Sequence, residues 1–375
     1  MRRVLVDLLG YTGARGGTET YARELLARLP QRMPGVSFMA LVGGAGAPAV
    51  RGFFPGDVHV IPWVAADPMT WAAAEVVASN RAARRTRADL VWTPANFGPL
   101  LRGVPRVATI HDVIYHEVKG GNPRQRVFRA VTSWLMRRSA RSADAVIAVS
   151  HATADKIRSR LGVASETIHV VPNGSAEPRP VTDPWGALAP LGIAAGRPLL
   201  LSTGNRMPHK NFAGLLHALA SIAPVHRPLA VLPGAHSQDP LTTTISELGL
   251  SEDVVLPGWV SEAQLDALYA VADVYACPSL AEGFGLPVVD AMRRGVRVVA
   301  NDIPVLREVG GEAARYADAT DPAAFGAAIV AELTDTQTPE AGDRRRAHAA
   351  RYTWDAAADG TAAVLERVLR ERRRG

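Results

Sequence analysis

Short runs of Val, Leu, Ile and Ala recur along this chain at the spacing of a strand–helix–strand series, and no other feature narrows the fold as much. Apolar runs stand at residues 4–7, 38–42, 58–62, 90–93, 107–111, 145–150 and 168–172, with helical patterns between several of them. The series restarts at 198–204, 229–234, 254–258, 274–278, 296–300 and 314–317. Near-continuous apolar strands alternating with helices mark parallel sheets covered on both faces. The expected class is therefore α/β, with two Rossmann-like, doubly wound parallel-sheet domains. Between the two series Gly174, Pro178, Pro180, Pro184, Gly186, Pro190, Gly192, Gly196 and Pro198 crowd together and read as a linker. The expected domains are 1–178, 179–355 and a C-terminal helix, 356–375, that packs back towards the first domain. In doubly wound sheets ligands bind beyond the carboxyl ends of the strands, so the two domains are expected to face each other across a cleft.

Composition removes several other classes. With 47% hydrophobic and 21% charged residues in 375, the chain is an ordinary globular one, neither disordered nor coiled coil. No stretch reaches the roughly 18 apolar residues that a bilayer span needs, and the lone Cys277 excludes a disulfide framework and cysteine metal sites. The expected location is the cytoplasm. A net charge of +6 suits an anionic partner, but no nucleic-acid module is present, so no nucleic acid is expected as a partner. Within 124–141, Val127, Val131, Trp134 and Leu135 share a helical face against Arg126, Arg129, Arg137 and Arg138. Two readings of that helix stand: core packing with a solvated outer face, the commoner case, or peripheral contact with the anionic inner face of a membrane.

Four places after strand runs could carry chemistry. The first strand leads into Gly13, Ala14, Arg15, Gly16, Gly17, Thr18 and Glu19 and then an amphipathic helix, whose first amides could meet a phosphate or hydroxyl. The fifth run ends in His111 and Asp112, a His able to bond a sugar hydroxyl or act as a base, with Asp112 orienting it. The second series opens with Gly204, Asn205, Arg206, then Lys210; two cations four residues apart suit a diphosphate. Only three lysines, Lys119, Lys156 and Lys210, occur among 42 basic residues, which makes Lys210 an improbable accident of composition. Finally, Glu282, Gly283, Phe284, Gly285, Leu286 and Pro287 place an acid before a helix start, with Asp290 inside the helix.

Together these residues resemble glycosyltransferase family 4, of the GT-B fold. The family's Glu, seven residues, Glu signature stands here as Glu282 and Asp290, the second acid shortened. Gly258-Trp259-Val260, the stretch from Leu268 to Asp273, the stretch from Ile303 to Val309, Ser150-His151 and the stretch from Val171 to Gly174 also match, so the likeness spans nearly the whole chain. It implies a retaining, metal-independent transfer of a hexose-type sugar from a nucleotide diphosphate donor to a saccharide, lipid-linked or small-molecule acceptor, with no cofactor beyond that co-substrate. By the same resemblance Arg206 and Lys210 hold the diphosphate, although many members carry the Arg directly after the glycine, where Asn205 stands. Glu282 would bind the sugar's ring hydroxyls, His111 would steady the sugar, and Asp290 would face the ribose. Gly16, Gly17, Phe284, Gly285 and Leu286 would lend backbone amides to the donor.

The physical account is consistent with those roles. Cleaving the anomeric bond leaves positive charge on the sugar and negative charge on the diphosphate, where Arg206, Lys210 and the amides near Gly285 act. Alternatives stay open at this point: an epimerase or hydrolase of the same architecture, or a nucleotide-sugar-binding protein without catalysis. A nicotinamide dehydrogenase is disfavoured because no GxGxxG follows the first strand.

Overall fold

The computed structural model describes residues 2–13, 16–100, 103–114, 123–234, 238–336 and 338–371, with the backbone alone at 68, 69, 123–125 and 128. Two compact units share the chain: Met1–Gly174 with Thr353–Gly375, and Ser175–Tyr352.

The first unit is built on seven parallel strands: β1 (Arg2–Leu8), β2 (Val36–Gly43), β3 (Asp57–Ile61), β4 (Leu90–Thr93), β5 (Arg106–Ile110), β6 (Ala145–Ala148) and β7 (Ile168–Val170). Their order is β3-β2-β1-β4-β5-β6-β7, so the winding reverses between β1 and β4. The second unit holds six parallel strands: β8 (Leu199–Leu201), β9 (Leu229–Val231), β10 (Val254–Val255), β11 (Val274–Cys277), β12 (Arg297–Asn301) and β13 (Arg315–Ala317). They are ordered β10-β9-β8-β11-β12-β13, with the reversal between β8 and β11. Every apolar run picked out in the sequence overlaps one of these strands. The runs were legible because a central parallel strand is buried on both faces, as β4, β5, β6, β8, β11 and β12 are along their full length.

The last helix, Trp354–Glu371, belongs to the first unit. It buries Trp354, Ala358, Thr361, Leu365 and Leu369. The Trp354 ring lies 6.2 Å from that of Tyr21, and the Arg32 guanidinium reaches Asp355 at 2.6 Å and Asp359 at 2.5 Å. Residues 175–178 and 353–355 thus fall on the other side of the unit boundaries from the expected edges. Ser175 joins the second unit because its amide donates to the Tyr352 carbonyl at 3.0 Å and its hydroxyl to Asp290. Thr353 and Trp354 go with the helix that Trp354 anchors. No helix among the described residues is long and apolar enough to cross a membrane.

Candidate active site

In the second unit the site is made where two neighbouring strands end. After β8 the chain runs through Gly204 and a short 3-10 turn, Pro208–Lys210, and enters the helix Phe212–Ser221. After β11 it runs through Pro278, Ser279 and Glu282 into the helix Leu286–Arg293. These loops are fastened to each other: the Leu280 amide donates to the His209 carbonyl at 2.7 Å, and the Lys210 Nζ donates to Glu282 Oε1 at 2.7 Å. Both side chains of the pair are largely withdrawn from solvent, so their charges are weakly screened. One cation and one carboxylate, 72 residues apart in sequence, meet at the switch point of the sheet, the place where an α/β sheet binds ligands.

Asn301, at the end of β12, holds the second loop. Its Nδ2 donates to the Ser279 carbonyl at 2.9 Å and its Oδ1 accepts the Ala319 amide at 2.9 Å. Gly285 adopts φ +95°, and a Cβ there would stand 2.9 Å from Leu306 Cδ2, so only glycine fits this turn comfortably. The Phe284 ring is buried edge-on against Tyr352, with centroids 5.4 Å apart. What Phe284 can offer a ligand is therefore its backbone, alongside Gly285 and Leu286. Cys277 is buried beside the site, and burial with the Glu282 charge pushes its thiol up to about 11, which makes it no nucleophile.

Arg206 stands apart from the Lys210–Glu282 pair. Its Nε donates to both Asp239 oxygens, at 3.1 and 2.9 Å, and its Nη2 to Asp239 Oδ2 at 2.7 Å and to the Leu232 carbonyl at 2.5 Å. Nη1 donates to the Gly204 carbonyl, and the guanidinium lies over the Phe212 ring at 4.5 Å. Arg206 and Asp239 are 7% and 8% exposed, a buried pair that fastens the β8 loop to the end of β9. Asp290 is likewise engaged within its own unit: it accepts the Ser175 hydroxyl, and burial raises its carboxyl above the ordinary range. The expected Arg206–Lys210 clamp and the ribose role of Asp290 are thus not preformed. Asp239, 33 residues from Arg206, and Ser175, 115 from Asp290, belong to no recognisable motif.

In the first unit His111 is buried against Tyr21, whose ring it meets edge-on at 4.7 Å. Its Nε2 lies 2.8 Å from the Pro94 carbonyl, which can only accept, so Nε2 carries the proton. Burial lowers the imidazole pKa, leaving a neutral ring. Asp112 does not orient it, contrary to expectation: its oxygens accept from Asn96 Nδ2 and from the Ile114 amide. The Pro94 carbonyl does, from the loop that follows β4, while both Asp112 oxygens are engaged elsewhere. Gly16 caps the helix Gly17–Leu26 with no side-chain bond, and a Cβ there would meet open space. Ala14 and Arg15 of the same turn lie outside the described residues.

The helix Pro123–Ser142 differs from both simple readings. Val127, Val131 and Trp134 are 64%, 50% and 59% exposed, on the same side as Arg137 and Arg138. The buried side is Thr132, Met136, Ser139 and Ala140. Met136 faces the core among small and hydroxyl-bearing residues, and Val127, Val131 and Trp134 are left outside with the arginines. The side chain of Arg124 lies outside the described residues.

Two doubly wound parallel-sheet units, the second with a cation and a carboxylate at the carboxyl ends of its central strands, are the units of a GT-B fold. Residues 15–175 match the Glycosyltransferase Family 4 model and residues 187–352 the Glycosyl transferases group 1 model. The chain is 31% identical over 285 residues to an MMP alpha-(1->4)-mannosyltransferase of Mycolicibacterium hassiacum, covering 71% of this chain and 66% of that one. It is 30% identical over 287 residues to O-antigen chain mannosyltransferase B of Escherichia coli, covering 73% of each. Among solved structures, sucrose-phosphate synthase from Thermosynechococcus elongatus superposes with a TM-score of 0.78 at 19% identity, over 99% of this chain and 100% of that one. Anabaena HepE in complex with UDP-glucose superposes with a TM-score of 0.75 at 22% identity, over 97% and 98%. The chain belongs to glycosyltransferase family 4.

Proposed function

We propose that this protein transfers a hexose from a nucleotide diphosphate donor to an acceptor hydroxyl, with retention at the anomeric carbon and without a metal ion. The observation that carries the reading is the Lys210–Glu282 pair, which puts one phosphate-seeking cation and one hydroxyl-binding carboxylate on two loops fastened together. In the free protein each charge holds the other in place. A bound donor takes the Lys210 ammonium onto its diphosphate and leaves Glu282 to the ring hydroxyls. As the anomeric bond breaks, negative charge grows on the departing phosphate beside Lys210 and the amides at the start of the helix Leu286–Arg293. The acceptor attacks from the leaving group's own face, and a phosphate oxygen takes its proton, so no protein base is required. His111, neutral and fixed by Pro94, steadies the sugar rather than removing a proton. Arg206 acts as a positioning residue that sets the β8 loop. The mannosyltransferases and the UDP-glucose complex among its relatives support a hexose donor.

The exposed Val127, Val131 and Trp134, set among arginines, support a second element of the reading, peripheral docking of the first unit on an anionic membrane surface.

The transferase reading is tested by thermal shift with UDP-, GDP- and dTDP-sugars on the wild type, Lys210→Ala and Glu282→Ala, followed by product detection with whichever donor binds. One nucleotide sugar should raise the melting temperature, and Lys210→Ala should abolish the rise. A folded wild type that no donor stabilises would overturn the proposal. Free sugar or an epimerised donor as the sole product would replace it with a hydrolase or an epimerase.

A further inference from the structure

We infer that the pocket of the first unit takes an acceptor bearing an ammonium group beside its hydroxyls and turns away phosphorylated acceptors. The inference rests on the transferase reading for the word acceptor, and on the pocket alone for its chemistry.

A cavity of about 360 Å3 opens at the carboxyl ends of β1, β4 and β5, where the first sheet reverses its winding. Four elements each bring a carboxylate to its wall: Asp7 from the end of β1, Glu19 from the helix Gly17–Leu26, Glu75 from the helix Pro68–Val77, and Asp112 from the loop after β5. Among the described residues that line it there is no Lys or Arg. The exposed Arg23 acts on Tyr11 without lining the cavity.

Two of these acids have a buried oxygen that accepts from no amide, hydroxyl or amine of the described protein. Glu75 is 5% exposed; its Oε1 accepts the Trp71 indole N–H at 3.1 Å, its buried Oε2 accepts from no amide, hydroxyl or amine, and its carboxyl is hydrogen-bonded to the neighbouring acid, Asp7. Glu19 Oε1 accepts both the amide and the hydroxyl of Thr12 at 2.9 Å, and its Oε2 is also buried without a partner. A buried acceptor left unsatisfied is unfavourable, and side chains that keep one on the wall of a cavity are arranged for a donor that arrives with a ligand. Asp7 is bonded by the Ser79 hydroxyl at 2.6 Å and the Leu9 amide at 3.2 Å, which fixes its carboxylate beside Glu75.

Charge decides which donor. A neutral hydroxyl satisfies an orphan oxygen but does nothing to offset the negative charge of the wall. An ammonium does both, and a phosphate dianion adds to that charge. The remaining wall suits a ring: Trp71 stands edge-on to Phe97 at 4.8 Å, and Gly10 is where a Cβ would come within 2.9 Å of the Trp71 indole. An aromatic wall with converging carboxylates is a site for a compact amino-polyol.

The test is calorimetric titration of the full chain, with its stabilising nucleotide present, by glucosamine, glucose, N-acetylglucosamine and glucose 6-phosphate. Glucosamine should bind about tenfold or more tightly than glucose and N-acetylglucosamine, and glucose 6-phosphate should give no heat. Glu75→Gln should erase most of the glucosamine advantage. Glu19→Gln, at a partly exposed position that does not threaten folding, should reduce it too, and neither should change the nucleotide's thermal shift. Binding of glucose 6-phosphate at least as tight as glucosamine, or an advantage that survives in both variants, would overturn the inference. If no nucleotide shifts the melting temperature, the transferase reading fails, and the glucosamine preference still decides the chemistry of the pocket.

Discussion

Glu75 and Asp7 are an arrangement that a chain selected for stability alone would avoid. Burial raises the Asp7 carboxyl to about 6, and burial together with the Asp7 charge raises that of Glu75 well above its usual value. Between the ordinary carboxylate range and these raised values the folded protein holds more protons than the unfolded chain. Stability therefore falls as pH rises through that window, and the penalty is complete above it. Glu75→Gln keeps an acceptor for the Trp71 indole and removes the second charge. Its melting temperature should exceed that of the wild type by about 2–4 °C at pH 8 and match it near pH 5, measured by calorimetry. A variant less stable at both pH values would show that the carboxyl group is a structural hydrogen-bond partner. At this scale the sequence was partly legible. Lys210 and Glu282 stood out because each sits in a loop between a strand and a helix with its glycines. The partners that decide what Arg206, Asp290 and His111 do were not legible, because Asp239, Ser175 and Pro94 come from distant segments and carry no pattern of their own.

Periodicity finds the helix Pro123–Ser142 but leaves open which of its faces is buried. The commoner, core-packed reading places Val127, Val131 and Trp134 inside; packing places Thr132, Met136, Ser139 and Ala140 there. A helix that approaches its sheet closely prefers small residues at the contact, and hydropathy alone does not register that preference. The consequence is an outer face on which three large apolar side chains stand among arginines. Vesicles containing phosphatidylglycerol should bind the protein at low ionic strength, blue-shift the Trp134 emission and release it as salt rises. The paired substitutions Val127→Glu and Val131→Glu should abolish binding without lowering the melting temperature, since both positions are exposed. Equal binding to vesicles of neutral lipid would show that the arginines play no part. Strands were the opposite case: in β4, β5, β8 and β11 every residue is buried, so a bare apolar run suffices to find them.

The two units differ in how the chain completes them. The second is a continuous segment, Ser175–Tyr352, whereas the first needs Thr353–Gly375 as well. The Tyr21 ring, which holds His111 edge-on, lies itself against Trp354. Removing residues 353–375 should therefore unfold the first unit and leave the second with its nucleotide-induced thermal shift, seen as the loss of one of two calorimetric transitions. A truncated chain that keeps both transitions would show that the last helix is dispensable. The two-unit organisation was legible from the restart of the strand series after a Gly- and Pro-rich stretch. The exact crossing points were not, because they depend on the bonds of Ser175 to Tyr352 and Asp290.

That discontinuity bears on the order of events during synthesis. Domains generally fold as units while the chain emerges from the ribosome. The segment Ser175–Tyr352 can close its own core as soon as it is released. The earlier-made residues up to Gly174 must wait for the helix Trp354–Glu371, which is translated after the whole of the second unit. Of the two units, the one begun first is thus completed second, and its exposed, incomplete core is the stage at which chaperones would engage the nascent chain.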